Sequence, residues 1–294
     1  MKRFFAALLC LCLLAGCGRT DSTGNTCRAE ETPGSGDMSG KTEKPGESAE
    51  PAGEMFRIVR EEKDGLLLAR VGGGPADVYT LSLPDTGVTL DGEAFDREEP
   101  RAYQALPGSA PTGALAEITY GTVLETYPGQ LGEVTAVNIR SDGFDDRCAL
   151  YLRVLDDLWD VDGGLNGDIT MASVDLSQTS LSESEQAAVA WAFAGEHGIS
   201  QVLSLNYEQL AAEGYLTGTE PDSDGMPCWE EGCLFTIAEQ ESENHAQNGA
   251  GDTVTFDAQK WRSALGAYFF CDCTASQDID GRWGDYTVGS QAIS

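Results

Sequence analysis

Four oxygen-bearing side chains in the middle of the chain have the spacing of ligands in a calcium-binding loop. Asp160, Asp162, Asn166 and Asp168 would occupy the first, third, seventh and ninth positions of such a loop. Leu165 stands where the loop requires glycine, and the twelfth position lacks the bidentate glutamate. The stretch is therefore interpreted as the end of a helix followed by a Gly-Gly turn, with weak binding of a divalent cation as the alternative.

Two cysteines of the part expected to fold bracket a short turn. Cys228 and Cys233 flank Trp-Glu-Glu-Gly, so a structural disulfide is one interpretation and two reduced thiols are the other. The five cysteines that follow residue 140 are an odd number and cannot form a complete disulfide framework. Zinc binding is poorly supported, because the sequence has no C-x2-C pair and its two histidines are His197 and His245.

Catalytic motifs are missing from the sequence. It contains neither a G-x-S-x-G nucleophile elbow nor an S-x-x-K motif. Neighbouring carboxylates such as Asp156 and Asp157 arise by chance in so acidic a chain, so we predict no catalytic residue and no cofactor. Lys260, Trp261 and Arg262 form a basic, aromatic spot in the acidic half, for which we predict an internal ion pair with a neighbouring acid.

The charge balance restricts the classes of partner. The formal net charge is −31 at pH 7, from 18 Lys and Arg against 49 Asp and Glu. Nucleic acid is not expected as a partner, because binding to it depends on neutralising phosphates with basic side chains. Cations or a basic partner are favoured electrostatically, although a surface of this kind also serves solubility.

The N-terminus has the layout of an export signal. Lys2 and Arg3 precede a short apolar stretch that ends in Leu14-Ala15-Gly16-Cys17. This ending resembles the lipobox of bacterial lipoproteins, and the resemblance covers residues 1–17. It implies that Cys17 is acylated and becomes the new N-terminus, which would hold the protein at the extracytoplasmic face of the bacterial cell membrane.

Two further segments follow the signal and differ in composition. Residues 18–54 are rich in Gly, Ser, Thr, Pro and Glu, which predicts a disordered acidic tether. Residues 55–140 contain short β-rich runs separated by glycine-containing turns, with no helical period. Five or six strands in this space predict a small β-barrel domain of OB or SH3-like type, which would leave no open sheet edge.

The dominant period changes near Ser141. Apolar residues at helical spacing predict an amphipathic helix that begins near Phe144. Ser182 and Glu185 form a capping box that opens a second helix, and Asn206 opens a short third one. Several strand-like runs then predict an antiparallel meander. Residues 141–294 are therefore predicted to be an α+β domain of three helices and a meander, which makes the whole chain α+β.

Parts of the second half resemble a group of exported proteins. The stretches VDLSQTSLSESEQAAVAWAF and KWRSALGAYFFCDCT, with the C-terminal GSQAIS, are similar to segments of uncharacterised exported lipoproteins of Gram-positive anaerobes. The resemblance covers residues 141–294. It implies no known activity and transfers no functional residue.

These observations favour a membrane-anchored cell-surface lipoprotein that acts as a non-catalytic binding or interaction module. A carboxylate-dependent hydrolase is the alternative, and a low-affinity divalent cation binder is the third hypothesis. The first two differ in their expected surfaces. An enzyme should hold a carboxylate pair with altered pKa values in a concave pocket, whereas a binding module should expose an apolar patch.

Overall fold

The computed structural model describes residues 53–94, 102–219, 225–240 and 252–294. The export signal, Cys17 and nearly all of the predicted tether lie outside these ranges. Within the described chain, no helix is both long and apolar enough to cross a membrane. All of these described residues belong to one unit by their contacts.

The first half of the described chain forms one mixed sheet of nine strands. Strands β1 to β9 span Glu54–Glu62, Gly65–Arg70, Val78–Leu81, Val88–Leu90, Glu93–Ala94, Leu115–Thr119, Thr122–Leu124, Gly129–Gly132 and Ala136–Arg140. Their spatial order is β5-β4-β9-β6-β1-β2-β3-β8-β7. Most neighbours are antiparallel, but β3 with β8 and β4 with β9 are parallel pairs.

Three helices follow the first sheet where the sequence signals placed them. Helices α1 to α3 span Arg147–Asp160, Glu183–Glu196 and Tyr207–Ala212. The predicted capping box of α2 is confirmed, because Ser182 and Glu185 each bind the backbone N–H of the other. Asn206 and Gln209 form the same arrangement at the start of α3. These caps satisfy backbone donors that a helix start leaves free.

The second sheet has six strands and is also mixed. Strands β10 to β15 span Met171–Gln178, Gln201–Leu203, Gly232–Glu239, Thr253–Ser263, Gly266–Ser276 and Ser290–Ile293. Their order is β11-β10-β12-β13-β14-β15, with β10 parallel to both β11 and β12. The remaining pairs are antiparallel, so only β12 to β15 form an antiparallel meander.

Helices α1 and α2 bring the two halves together in one apolar cluster. Val59 and Leu67 of the first sheet pack in the same cluster as Leu155 of α1, Phe193 of α2 and Phe235 of the second sheet, and all five are fully buried. The opposite face of the first sheet carries a second cluster. The predicted boundary near Ser141 falls between the two sheets, but residues 55–140 and 141–294 do not have separate cores, because this cluster contains residues of both halves.

The predicted fold class was wrong. The described part of the chain is mostly β, with two sheets of nine and six strands, and it is not a small OB or SH3-like barrel followed by a three-helix α+β domain. The barrel was inferred because a small sheet must protect its edges. Here the edge strands Glu93–Ala94 and Thr122–Leu124 are short, and helices from the second half cover one face.

Candidate functional site

The calcium-like stretch binds a cation that the protein itself supplies. Lys260 of β13 has no exposed surface, and its Nζ lies at the C-terminal end of α1. Nζ donates hydrogen bonds to the carbonyl oxygens of Trp159 and Asp162, both at 3.3 Å, and to Asn166 Oδ1 at 3.1 Å. It also donates to the carbonyl oxygen of Val161. We call these four oxygens the ammonium cage.

A second cation from the same strand holds the rest of the loop. Arg262 Nη1 donates to the carbonyl oxygens of Leu165 at 3.1 Å and Gly167 at 2.7 Å, and Nη2 donates to that of Glu230 at 2.8 Å. The predicted ion pair of Lys260 and Arg262 with an acid is therefore replaced by binding to backbone carbonyls and one amide. A helix C-terminus carries partial negative charge, which explains why it accepts an ammonium group.

The four weak metal candidates are placed around this cage but do not converge on an ion. Asp160 is exposed at the end of α1, and Asp162 and Asp168 have left-handed backbone angles with φ of 44° and 58°. Asn166 Nδ2 donates to the Trp159 carbonyl at 2.6 Å while its Oδ1 accepts from Lys260. Across the described ranges, no three His, Cys, Asp or Glu side chains are grouped so that they could hold a metal ion.

A separate cleft lies on the exposed face of α1. Arg153, Asp156, Asp157, Asp285 and Tyr286 line a cavity of about 380 Å³. We call it the acidic cleft. The first three residues have the i, i+3 and i+4 spacing that places side chains on one helix face. The other two belong to the segment between β14 and β15.

Hydrogen bonds attach this segment to α1 and fix the geometry of the cleft. Arg153 Nη2 donates to the carbonyl oxygens of Trp283 at 3.1 Å and Gly284 at 2.8 Å. Its Nη1 lies 3.4 Å from Asp285 Oδ1. The Tyr286 hydroxyl donates to Asp157 Oδ2 at 2.6 Å. The Arg153 guanidinium thus binds mainly backbone carbonyls of the segment before β15, whereas three carboxylates line the cavity.

His197 lies beside the cleft at the end of α2. Its Nε2 is 2.9 Å from Asp156 Oδ1, and its ring stacks on Trp159 with 4.3 Å between the centroids. Burial raises the pKa of the Asp156 carboxyl, while the contact with His197 acts in the opposite direction. Burial also raises the pKa of the Tyr286 hydroxyl, and its hydrogen bond to Asp157 adds to that effect. Tyr286 therefore remains a neutral donor that orients Asp157.

The predicted cysteine pair lies away from the acidic cleft, but Cys233 is close enough to Lys260 of the ammonium cage to interact with it electrostatically. Cys233 is buried in β12, and its thiol donates to the carbonyl oxygen of Trp261 at 3.3 Å. Burial raises the pKa of Cys233 to about 12. Cys228 is half-buried before β12, where its backbone pairs with Thr217 and Ser263. Both thiols are free in the structure, as are the other cysteines of the described ranges.

Sequence reasoning recognised part of the cleft but not its assembly. Asp156 and Asp157 form a carboxylate pair in the sequence, but no sequence motif includes Arg153 or Asp285. The spacing of Arg153, Asp156 and Asp157 along α1 is a signal that marks a shared polar face. Nothing local indicates that residues 283–286 pack against that face, because the two segments lie more than 100 positions apart.

No family model matches this chain, and comparisons with curated proteins and with solved structures also give no match.

Proposed function

We propose that the chain is a lipid-anchored binding module at the extracytoplasmic face of a bacterial cell membrane, and that its acidic cleft holds a basic group of a partner. The observation that carries the binding proposal is the convergence of Asp156, Asp157 and Asp285 on one cavity. The anchor is proposed from the lipobox at Cys17.

The composition of the cleft favours a cationic ligand. An ammonium or guanidinium group in the cavity would reach carboxylate oxygens from two segments and form charge-assisted hydrogen bonds. Asp157 is already oriented by the Tyr286 hydroxyl, which reduces the ordering that binding requires. The net charge of −31 would also attract a basic partner over distances of about one Debye length, roughly 8–10 Å at physiological salt.

A carboxylate-dependent hydrolase is the second candidate. Asp156 favours it, because burial raises the pKa of this carboxyl and it lines the same cavity as Asp157. A raised pKa suits a general acid that works beside an ionised carboxylate. Turnover of a substrate that is lost in Asp156→Asn while binding persists would move this candidate to first place.

We expect Asp157→Asn combined with Asp285→Asn to weaken binding of a basic peptide. The probe is fluorescent pentalysine, titrated into the full mature protein in non-ionic detergent. Because the two changes remove two charges but keep the acceptor that Tyr286 binds, affinity should fall by about tenfold with the fold intact. The wild-type affinity should also fall as salt is raised.

The matched control is Glu208→Gln combined with Glu213→Gln. These exposed residues lie in and just after α3, and their replacement removes the same charge from another surface. Pentalysine with acetylated amines and an amidated C-terminus serves as the neutral ligand. Equal weakening by the two double variants would mean that general charge and not the cleft binds the peptide.

A further inference from the structure

Exposed apolar side chains gather at one end of the first sheet. Val71, Leu124 and Tyr127 have exposed fractions of 52%, 53% and 53%, and Val123 follows with 40%. Large apolar side chains that remain this accessible mark surfaces for association when they lie together. We call Val71, Leu124 and Tyr127 the apolar rim.

The strand register places the rim at a single end. Phe56 pairs with Arg70, so the start of β1 lies beside the end of β2, where Val71 follows. β2 is antiparallel to β3, so the end of β2 lies beside the start of β3. β3 is parallel to β8, so the start of β8, two residues after Tyr127, lies at the same end of the sheet. β7 is antiparallel to β8, and Leu124 at the end of β7 pairs with Gln130.

The same end receives the chain that leads from the N-terminus. The described structure starts at Gly53, directly before β1. The Val71 amide donates to the carbonyl oxygen of Met55 at 2.9 Å, so the rim lies next to this entry point. The Tyr127 hydroxyl donates to the carbonyl oxygen of Pro75 at 3.3 Å. This hydrogen bond connects Tyr127, which follows β7, with the turn after β2.

Charge near the rim is partly neutralised. Arg70 pairs with Glu54 at 2.9 Å and with Asp77 at 3.2 Å. Glu125, between the rim residues Leu124 and Tyr127, is an exposed acid. Contact with an uncharged surface is therefore easier here than contact with an anionic one, since Glu125 would be repelled by anionic headgroups.

We propose that the apolar rim rests on the phospholipid surface to which the protein is anchored, with Val71, Leu124 and Tyr127 entering the interfacial layer. This inference depends on the proposed lipid anchor at Cys17. An anchor raises the effective concentration of the rim at the bilayer. Three side chains are then enough to hold the rim on the surface, although they would be too few to bring an unanchored protein to it. Tyrosine is suited to this layer because its ring is apolar and its hydroxyl is polar.

Hydrogen–deuterium exchange on the full mature protein tests the orientation. The acylated protein is placed on zwitterionic phosphatidylcholine vesicles and compared with the Cys17→Ala protein mixed with the same vesicles. We expect amide exchange in residues 71–76 and 122–127 to slow by about threefold or more on anchoring, with little change elsewhere in the sheet. The triple change of Val71, Leu124 and Tyr127 to Asp should abolish this slowing while the acylated protein still floats with the vesicles.

A control triple changes Leu265, Ile279 and Ile293 to Asp. These residues are more exposed than the rim and belong to the second half, and their replacement should leave the slowing intact. Acylated wild-type protein that floats with vesicles but exchanges as fast as the unanchored form would overturn the rim proposal and leave the anchor standing. Protein that fails to float would overturn the anchor, and the rim proposal with it.

Discussion

Replacing Lys260 with methionine is expected to lower the free energy of unfolding by about 3 kcal/mol, which is a shift of roughly 6–12 °C in Tm for a domain of this size. Methionine fills a similar volume but donates nothing to the ammonium cage. The carbonyl oxygens of Trp159, Val161 and Asp162 would lose a charged donor, and so would Asn166. Relief from burying the ammonium offsets part of this loss, since burial already lowers the pKa of Lys260.

Thermal and urea denaturation monitored by circular dichroism measure this effect. Lys63→Met is the matched control, because Lys63 is exposed between β1 and β2 and loses the same charge without losing a buried donor. We expect the control to stay within about 0.5 kcal/mol of the wild type, as is usual for surface substitutions. A Lys260→Met protein as stable as this control would show that the cage contributes nothing to the fold.

Replacing Cys17 with alanine is expected to eliminate the acylated mature form. The lipobox thiol is the predicted acylation site, and each buried methylene of an acyl chain contributes about 0.8 kcal/mol to membrane binding. Without it, the protein should either leave the membrane fraction or accumulate as an unprocessed precursor. Fractionation after an alkaline wash, followed by mass spectrometry of the N-terminal peptide, separates the two outcomes.

Cys27→Ala is the control, because Cys27 lies in the predicted tether and should have no part in anchoring. It should partition into the membrane fraction as the wild type does. A Cys17→Ala protein of unchanged size that remains in the washed membrane, together with a wild-type N-terminal peptide of unmodified mass, would exclude the lipid anchor.

Local signals predicted the helices because the determinants lie within a few residues of each other. The spacing of apolar residues after Phe144 and the Ser182 capping box both correspond to helices in the structure. The end of α1 was also anticipated, since the backbone leaves the helix after Asp160 and a short 3-10 turn spans Gly163–Asn166. A helix end followed by a turn is therefore confirmed, although α1 ends before Gly163, and weak binding of a divalent cation at this stretch stays a prediction.

Pairing between distant strands could not be predicted in the same way. Alternation of apolar residues identifies a strand but not its partner, and the first sheet depends on pairs such as Tyr79 with Gly129. The prediction of a closed barrel assumed that each half must protect its own sheet. Residues such as Leu155 of α1 and Phe193 of α2 contribute to a core that also contains Val59 of β1, and no local pattern reveals such sharing.

The ammonium cage and the acidic cleft could not be predicted from the sequence for a related reason. Lys260 reaches the calcium-like loop from a strand about a hundred residues later. The sequence therefore shows the oxygen ligands of the loop but not that a lysine ammonium binds to them. Arg153 and Asp285 meet only when the segment before β15 packs on α1. Charge and composition indicated that a basic partner is favoured, but the position of a cleft depends on contacts that only the folded chain provides.

Zero-length coupling with a carbodiimide tests the central claim most directly, because it joins a ligand amine to the carboxylate that it contacts. Full mature protein in detergent is incubated with pentalysine and the reagent, and the joined peptides are mapped by mass spectrometry. We expect coupling to concentrate on Asp157 and Asp285 and to be competed by excess N-acetylarginine amide, which carries a guanidinium group but no amine that the reagent could couple. Coupling spread evenly over exposed acids such as Glu208 and Glu213, without competition, would contradict binding at the acidic cleft.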